Sequence, residues 1–208
     1  MMSTALIGHM MNELVNAGIE VHLYSKKRID SDGGGTISGA FTDEDKLLEV
    51  ASGREDWLLI FAHEYCHFKQ WQQGLFDDLT VIAAYSCFTP WLENKREIPV
   101  DLLDTFIRKM QWLELDNEYR TLALLKEFRV DFDEELYIKK TNIYMHSYEL
   151  CRRLRRWHKK ALYDVPELLD LVSGEELVSE EEFGDLPEGF EALAIGCYDF
   201  SEKEEEED

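Results

Sequence analysis

Cysteine is scarce: four residues in 208, Cys66, Cys87, Cys151 and Cys197. No two form a C-x-x-C pair, which excludes a cysteine-based zinc knuckle and leaves no disulfide framework to read. Long apolar runs are missing as well. No stretch approaches the ~18–20 apolar residues that span a bilayer. The opening text MMSTALIGHMMNEL has no basic segment ahead of an apolar run, so no secretion signal is expected. Basic residues are few: 22 Lys and Arg stand against 44 Asp and Glu, a formal net charge of −22. Such a field repels phosphate backbones, so nucleic acid is not an expected partner. The one basic run, Arg152, Arg153, Arg155, Arg156, Lys159 and Lys160, is short. It reads as a charged helix face that pairs with the surrounding acid. These absences point to a soluble protein of a reducing cytoplasm, with no membrane partner.

What is present is the composition of a globular chain, with 45% hydrophobic and 12% aromatic residues, well above that of disordered segments. The length fits one domain with a substantial core. That domain is expected over residues 1–199, ahead of an acidic disordered tail at 200–208 that ends in SEKEEEED. Thr4–Asn16 reads as an opening helix with Ser3 as N-cap and Gly18 as stop. GIEVHLYSK alternates through Ile19, Val21 and Leu23, a strand signal. SDGGG reads as a hairpin loop rather than a phosphate cradle, because no Lys-Ser/Thr follows it. TISGAF is a second short strand, and DEDKLLEVA is another strand or a helical turn. Helices are expected at about 55–73, ended by Gly74, and then at roughly 77–88, 100–128 and 134–161, the last open to internal breaks. Acidic loops and short segments follow Pro166. Strands first and helices later predict an α+β fold, a small N-terminal sheet region packed on a mainly helical body.

The chemistry lies in FAHEYCHFKQW, residues 61–71, where His63, Glu64 and His67 fall in the spacing H-E-x-x-H. On a helix, residues four apart project about 40° from one another, so both imidazoles leave the same face. Two such nitrogens can reach one zinc ion at about 2.0–2.1 Å. Glu64 stands about 100° round from His63, placed to take a proton from water activated by the ion. By chance this motif arises in roughly 2% of sequences of this composition. The surrounding WLLIFAHEYCHFKQW is apolar around nearly its whole circumference, and burying three such polar groups is costly unless something satisfies them. Cys66, inside the motif, reads as core. The tryptophans and Met10–Met11 read as packing.

A catalytic zinc takes three protein ligands and leaves a position open. In the pattern H-E-x-x-H-x-x-G-x-x-H the third ligand follows at once, but here those positions are Gln70 and Gln73, which excludes that class. DLLDTFIRKMQWLELDNEYRTLALLKEF offers another source. Its apolar stripe breaks between Leu113 and Leu124, where Glu114, Asn117, Glu118 and Thr121 fall on the same side. Polar groups in the middle of an apolar face are expected where a site sits. Glu118 or Glu114 could reach the ion. Asp77, Asp78, Glu93 and Asp101 lie in loops or at element ends.

These residues resemble the zincin metallopeptidases, in particular the gluzincin type, whose third ligand is a glutamate on a later helix. FAHEYCHFKQW, LELDNEYRTLALLKEF and IKKTNIYMHSYELCRRLRRW are also similar to uncharacterised zincin-like proteins of tailed phages, over roughly residues 55–157. The resemblance implies a zincin-like fold and one Zn2+ per chain, held by His63, His67 and Glu118, with Glu118 preceded by Asn117 as in the N-E element of many gluzincins. It also implies Glu64 as general base and a peptide or protein substrate in the host cytoplasm. The spacing of about 50 residues from His67 to Glu118 is longer than in the best-known gluzincins. Tyr144, His146 and Tyr148 are candidates for the oxyanion donor that zincins supply, although the two tyrosines also read as core aromatics and His146 as a surface or hydrogen-bonded histidine. The other reading is a non-catalytic zincin-fold protein with structural zinc, serving as a binding module for a host or virion protein.

Overall fold

The computed structural model describes residues 2–31, 35–158 and 161–199. The chain is α+β, with five strands and seven α-helices among the described residues. In order these are α1 (Met2–Asn16), β1 (Glu20–Tyr24), β2 (Ile29–Ser31), β3 (Gly35–Ile37), β4 (Gly39–Thr42), β5 (Leu47–Ala51) and α2 (Trp57–Gln72). They continue with α3 (Leu79–Leu92), α4 (Val100–Glu127), α5 (Glu134–Leu154), α6 (Pro166–Leu169) and α7 (Phe190–Asp199). No helix among the described residues is long and apolar enough to cross a membrane. The chain divides into two compact units. The first holds Met1–Asp78 with Asp116–Asp131, the second Leu79–Leu115 with Phe132–Asp208, and the long helix α4 contributes to both.

In the first unit a three-stranded sheet has the order β1-β5-β4, with β1 parallel and β4 antiparallel to the central β5. DEDKLLEVA therefore supplies the central strand. Leu48 and Val50 are fully buried on one face, as the two-residue period of a strand requires. TISGAF, expected as one strand, is two. β3 closes an antiparallel hairpin with β2, and after Ser38 the chain turns into β4, which pairs with β5. The centre of the expected SDGGG turn lies outside the described residues. Helix α1 begins at Met2, before the expected cap Ser3, and buries Leu6, Met10 and Leu14 at a spacing of four. Gly18, at φ 75°, turns the chain into β1. That left-handed value is natural for glycine.

Helix α2 packs against α1, β4 and β5. Phe61, Ala62 and Phe68 are fully buried. Its outer turns are tied to α1, where Tyr65 Oη and Lys69 Nζ each donate to Glu13 Oε2 at 2.7 Å.

The second unit is helical. Ala84, Trp91, Leu103, Phe106, Ile107, Met110, Tyr148 and Cys151 form one core cluster, and Ile143, Leu150, Leu162, Leu168, Val172, Phe190 and Ala194 form another. Three elements of this unit differ from the sequence expectation. α3 starts at Leu79 and runs through Pro90 to Leu92. The proline falls in the last turn, where little of the helical ladder remains to lose. α5 ends at Leu154 instead of 161, because Arg155 adopts the left-handed conformation. There its guanidinium donates to the Trp91 and Arg96 carbonyls and to Glu97 Oε1. The ten-residue helix α7 replaces part of the expected loops and buries Phe190 and Ala194. The basic run meets acid as expected: Arg152 and Arg153 grip Glu149, with Asp104 and Glu191 outside them. Lys159, Lys160 and the expected tail at 200–208 lie outside the described residues.

Candidate metal centre

The H-E-x-x-H segment occupies the middle of α2. One helical turn separates His63 from His67, whose ring centroids stand 4.7 Å apart with their planes at 86°. Their Nε2 atoms face each other at 3.1 Å. The opposite nitrogens point to separate partners. His67 Nδ1 is 2.9 Å from Gln70 Oε1. His63 Nδ1 is 3.1 Å from Glu118 Oε1 on α4. Gln70 Oε1 can only accept, so His67 Nδ1 donates its proton and His67 keeps its lone pair on Nε2. Asn117 Nδ2 lies 3.0 Å from His63 Nδ1 and 3.2 Å from the His63 carbonyl oxygen. His63 Nδ1 thus lies between a carboxylate acceptor and an amide donor, and that amide also donates to the His63 carbonyl.

A proton on His63 Nε2 directed at the His67 lone pair satisfies this contact, and so does a cation between the two nitrogens. A third donor stands nearby. Glu114 stands one turn before Glu118 on the same unbroken helix, and one oxygen of its carboxylate lies within 4.8 Å of ligand nitrogens of both His63 and His67. Two imidazole nitrogens and one carboxylate oxygen are a donor set that zinc accepts. An ion at 2.0–2.1 Å from two nitrogens in tetrahedral geometry holds them about 3.3–3.4 Å apart. The residues present fit such a group. Of the two glutamates that sequence periodicity left together, Glu118 is set against His63 Nδ1 and Glu114 among the converging ligand atoms.

Glu64 is 7% exposed and directed toward the sheet. The backbone of β4 approaches it closely. A Cβ built on Gly39 would stand 3.0 Å from both Cγ and Oε1 of Glu64 and 2.7 Å from Ile60 Cγ2. Past His67 the wall is aromatic, since Phe76 packs on the His67 ring and Phe41 joins Phe68, Trp71 and Phe76. Cys66 is 2% exposed. Burial pushes its thiol up to about 12, against a hydrogen bond with Thr121. It is an inert core thiol rather than a reactive one.

The remaining sequence candidates lie elsewhere. Asp77, Asp78, Glu93 and Asp101 are exposed at element ends. Tyr148 is 3% exposed in the core of the second unit, hydrogen-bonded to Tyr144, and the buried His146 packs on Phe190. Sequence reasoning missed Gln70, treated only as a non-ligand, and Gly39. The signal for Gln70 was present: it lies three residues after His67 on the same helix and is a polar residue in an apolar segment. Nothing local marked Gly39, whose neighbours come from another element. No family model, no curated protein and no solved structure matches the chain.

Proposed function

We propose that this protein is a zinc-dependent peptidase of zincin-like type, in which His63, His67 and Glu114 hold one ion, Glu118 orients His63 and Glu64 is the general base. One observation supports this above the others. His67 turns its Nε2 lone pair toward His63 Nε2 at 3.1 Å, and one ligand atom each of His63, His67 and Glu114 lie within 4.8 Å of one another. When bound, zinc supplies a Lewis acid that polarises a carbonyl and brings the pKa of water to about 7.

The chain's own residues supply the rest. His67 is fixed in orientation by the hydrogen bond from its Nδ1 to Gln70 Oε1, and His63 by its contacts with Glu118 and Asn117. Glu64 takes a proton from the attacking water as its oxygen bonds to the carbonyl carbon. It returns that proton to the amide nitrogen as the C–N bond breaks. Gly39 leaves the space that its carboxylate needs. The resemblance noted above, with its H-E-x-x-H helix beside a small mixed sheet, points the same way.

The test compares the wild-type protein with Glu64→Gln, measuring zinc content by elemental analysis and cleavage of a denatured casein substrate or a mixed peptide library. Wild-type protein is expected to hold about one zinc per chain and to cleave. Glu64→Gln should keep the zinc and lose cleavage by a factor of about 10²–10⁴. Undiminished cleavage in Glu64→Gln would overturn the mechanism. A metal content well below one per chain, unchanged in His63→Ala, would overturn the site. Zinc binding with no cleavage of any peptide would leave the non-catalytic binding module as the better reading.

A further inference from the structure

The proton on His67 is assigned by residues that never approach the ligand atoms. Behind His67 runs a chain of three side chains, all within the first unit. Gln70 is fully buried. Its Oε1 lies 2.9 Å from His67 Nδ1, and its Nε2 donates to Asp116 Oδ2 at 2.7 Å. Asp116 is in turn paired with Arg120, whose Nε and Nη2 donate to Oδ2 and Oδ1 at 2.6 Å and 3.3 Å.

An amide seldom reveals which of its two ends is oxygen, because nitrogen and oxygen are alike in shape. Here chemistry settles it. An ionised carboxylate only accepts, so the end of Gln70 that meets Asp116 must be the NH2. The end that meets His67 is then the carbonyl oxygen, which only accepts as well. His67 must therefore carry its proton on Nδ1 and present a bare Nε2. Arg120 holds the carboxylate in place by a two-point contact.

We propose that Asp116, acting through Gln70, is a positioning residue that locks His67 in the Nδ1–H tautomer and so readies its Nε2 as a metal ligand, with Arg120 as its anchor. The proposal rests on the metal centre described above. It adds two residues with no contact to the ligand atoms, and a sense of direction in the hydrogen bonds, running from His67 through Gln70 to Asp116.

The test reads the tautomer directly, without any metal, and the zinc affinity separately. Histidine-15N-labelled apoprotein near pH 8 would be recorded by long-range 1H–15N correlation, in which the two tautomers give different patterns. Zinc dissociation constants would come from competition with a chromophoric chelator. In the wild type His67 is expected as Nδ1–H. In Asp116→Asn the amide of Gln70 gains the freedom to turn over. His67 should then show a mixed or Nε2–H pattern, and zinc should bind about 10-fold more weakly. Gln70→Leu should weaken it by about 10–100-fold, the usual range for loss of such a partner.

The decisive variant is the exchange Q70E/D116N, which puts a carboxylate against His67 and an amide behind it. The acceptor at Nδ1 is restored, so the Nδ1–H pattern should return, with zinc affinity within about threefold of the wild type. A role confined to packing would predict no such rescue. An unchanged Nδ1–H pattern and unchanged zinc affinity in Asp116→Asn would overturn the proposal, as would failure of the exchanged pair to recover. Should wild-type protein bind no zinc, the proposed function falls, while the tautomer spectra of the apoproteins still decide whether Asp116 governs His67.

Discussion

Gly39→Ala is the substitution whose outcome follows most directly from the coordinates. The added methyl carbon would stand 2.7 Å from Ile60 Cγ2 and 3.0 Å from both Cγ and Oε1 of Glu64. Carbon atoms in contact rest at about 3.5–4.0 Å, so something must move by roughly 0.5–1 Å. Ile60 is β-branched and stiff at χ1, on a helix packed against the same sheet. The longer Glu64 side chain therefore yields first. Overpacking of this kind costs about 1–3 kcal/mol, and a chain of this size loses about 2–4 °C of melting temperature per kcal/mol. The displaced carboxylate should cut peptide cleavage by up to about 10²-fold, the scale of a 1 Å error in a catalytic group. Zinc affinity should stay within about threefold, because the three nearest atoms belong to Ile60 and Glu64 and none to a histidine. Thermal melts by circular dichroism, chelator competition and a cleavage assay on one preparation separate these effects. A variant with wild-type melting and wild-type cleavage would refute the reasoning. A variant that loses zinc as severely as His63→Ala would refute the assignment of the clash to Glu64.

Three further outcomes are expected. Zinc at about 100-fold above its dissociation constant should stabilise the protein by about 2.7 kcal/mol; EDTA should reverse the resulting rise in melting temperature, and His67→Ala should abolish it. Burial pushes the Glu149 carboxyl up, but hydrogen bonds from Arg152 and Arg153 outweigh it and hold the group below its ordinary value. Its contribution is therefore full above the unfolded value of about 4.3 and is lost as pH falls through the lower folded value; Glu149→Gln should lower the melting temperature at pH 7 and flatten its fall below about pH 5. Burial lowers the pKa of His146, against the raising influence of Glu182 and Asp185. The folded state thus disfavours protonation, so this group costs stability as pH drops below about 6.5; His146→Leu should reduce the decline in melting temperature between about pH 7 and 5.

The sequence and the fold divide along a physical line. A pattern is legible when the contacts that satisfy it are local. His63 and His67 share a helix face because helical geometry alone puts residues four apart together, and Gly74 ends that helix at φ 75° as a glycine can. The apolar alternation of LLEV marks a strand, since Leu48 and Val50 must share one side. Where a contact depends on two distant segments, the text is silent. TISGAF reads as one strand, yet Ser38 divides it because its halves find different partners. α7 is short and weakly patterned, and becomes a helix where Phe190 and Ala194 can be buried.

The candidate site follows the same rule. By itself the sequence determined that His63, Glu64 and His67 share one buried helix, and that a polar break in a later helix brings Glu114, Asn117 and Glu118 to one side. Those are consequences of 3.6 residues per turn, and no tertiary contact is needed to state them. Which glutamate meets which imidazole nitrogen was left to the tertiary structure. Glu114 and Glu118 are four residues apart and nearly eclipsed, so periodicity treats them alike. They differ by about 6 Å along the helix axis, and only the height at which α4 passes α2 decides that Glu118 meets His63 Nδ1. The same crossing brings Asp116 to Gln70 and Asn117 to the His63 carbonyl. A side chain's chemistry is written in the sequence, but the direction of its hydrogen bonds depends on the segment packed against it.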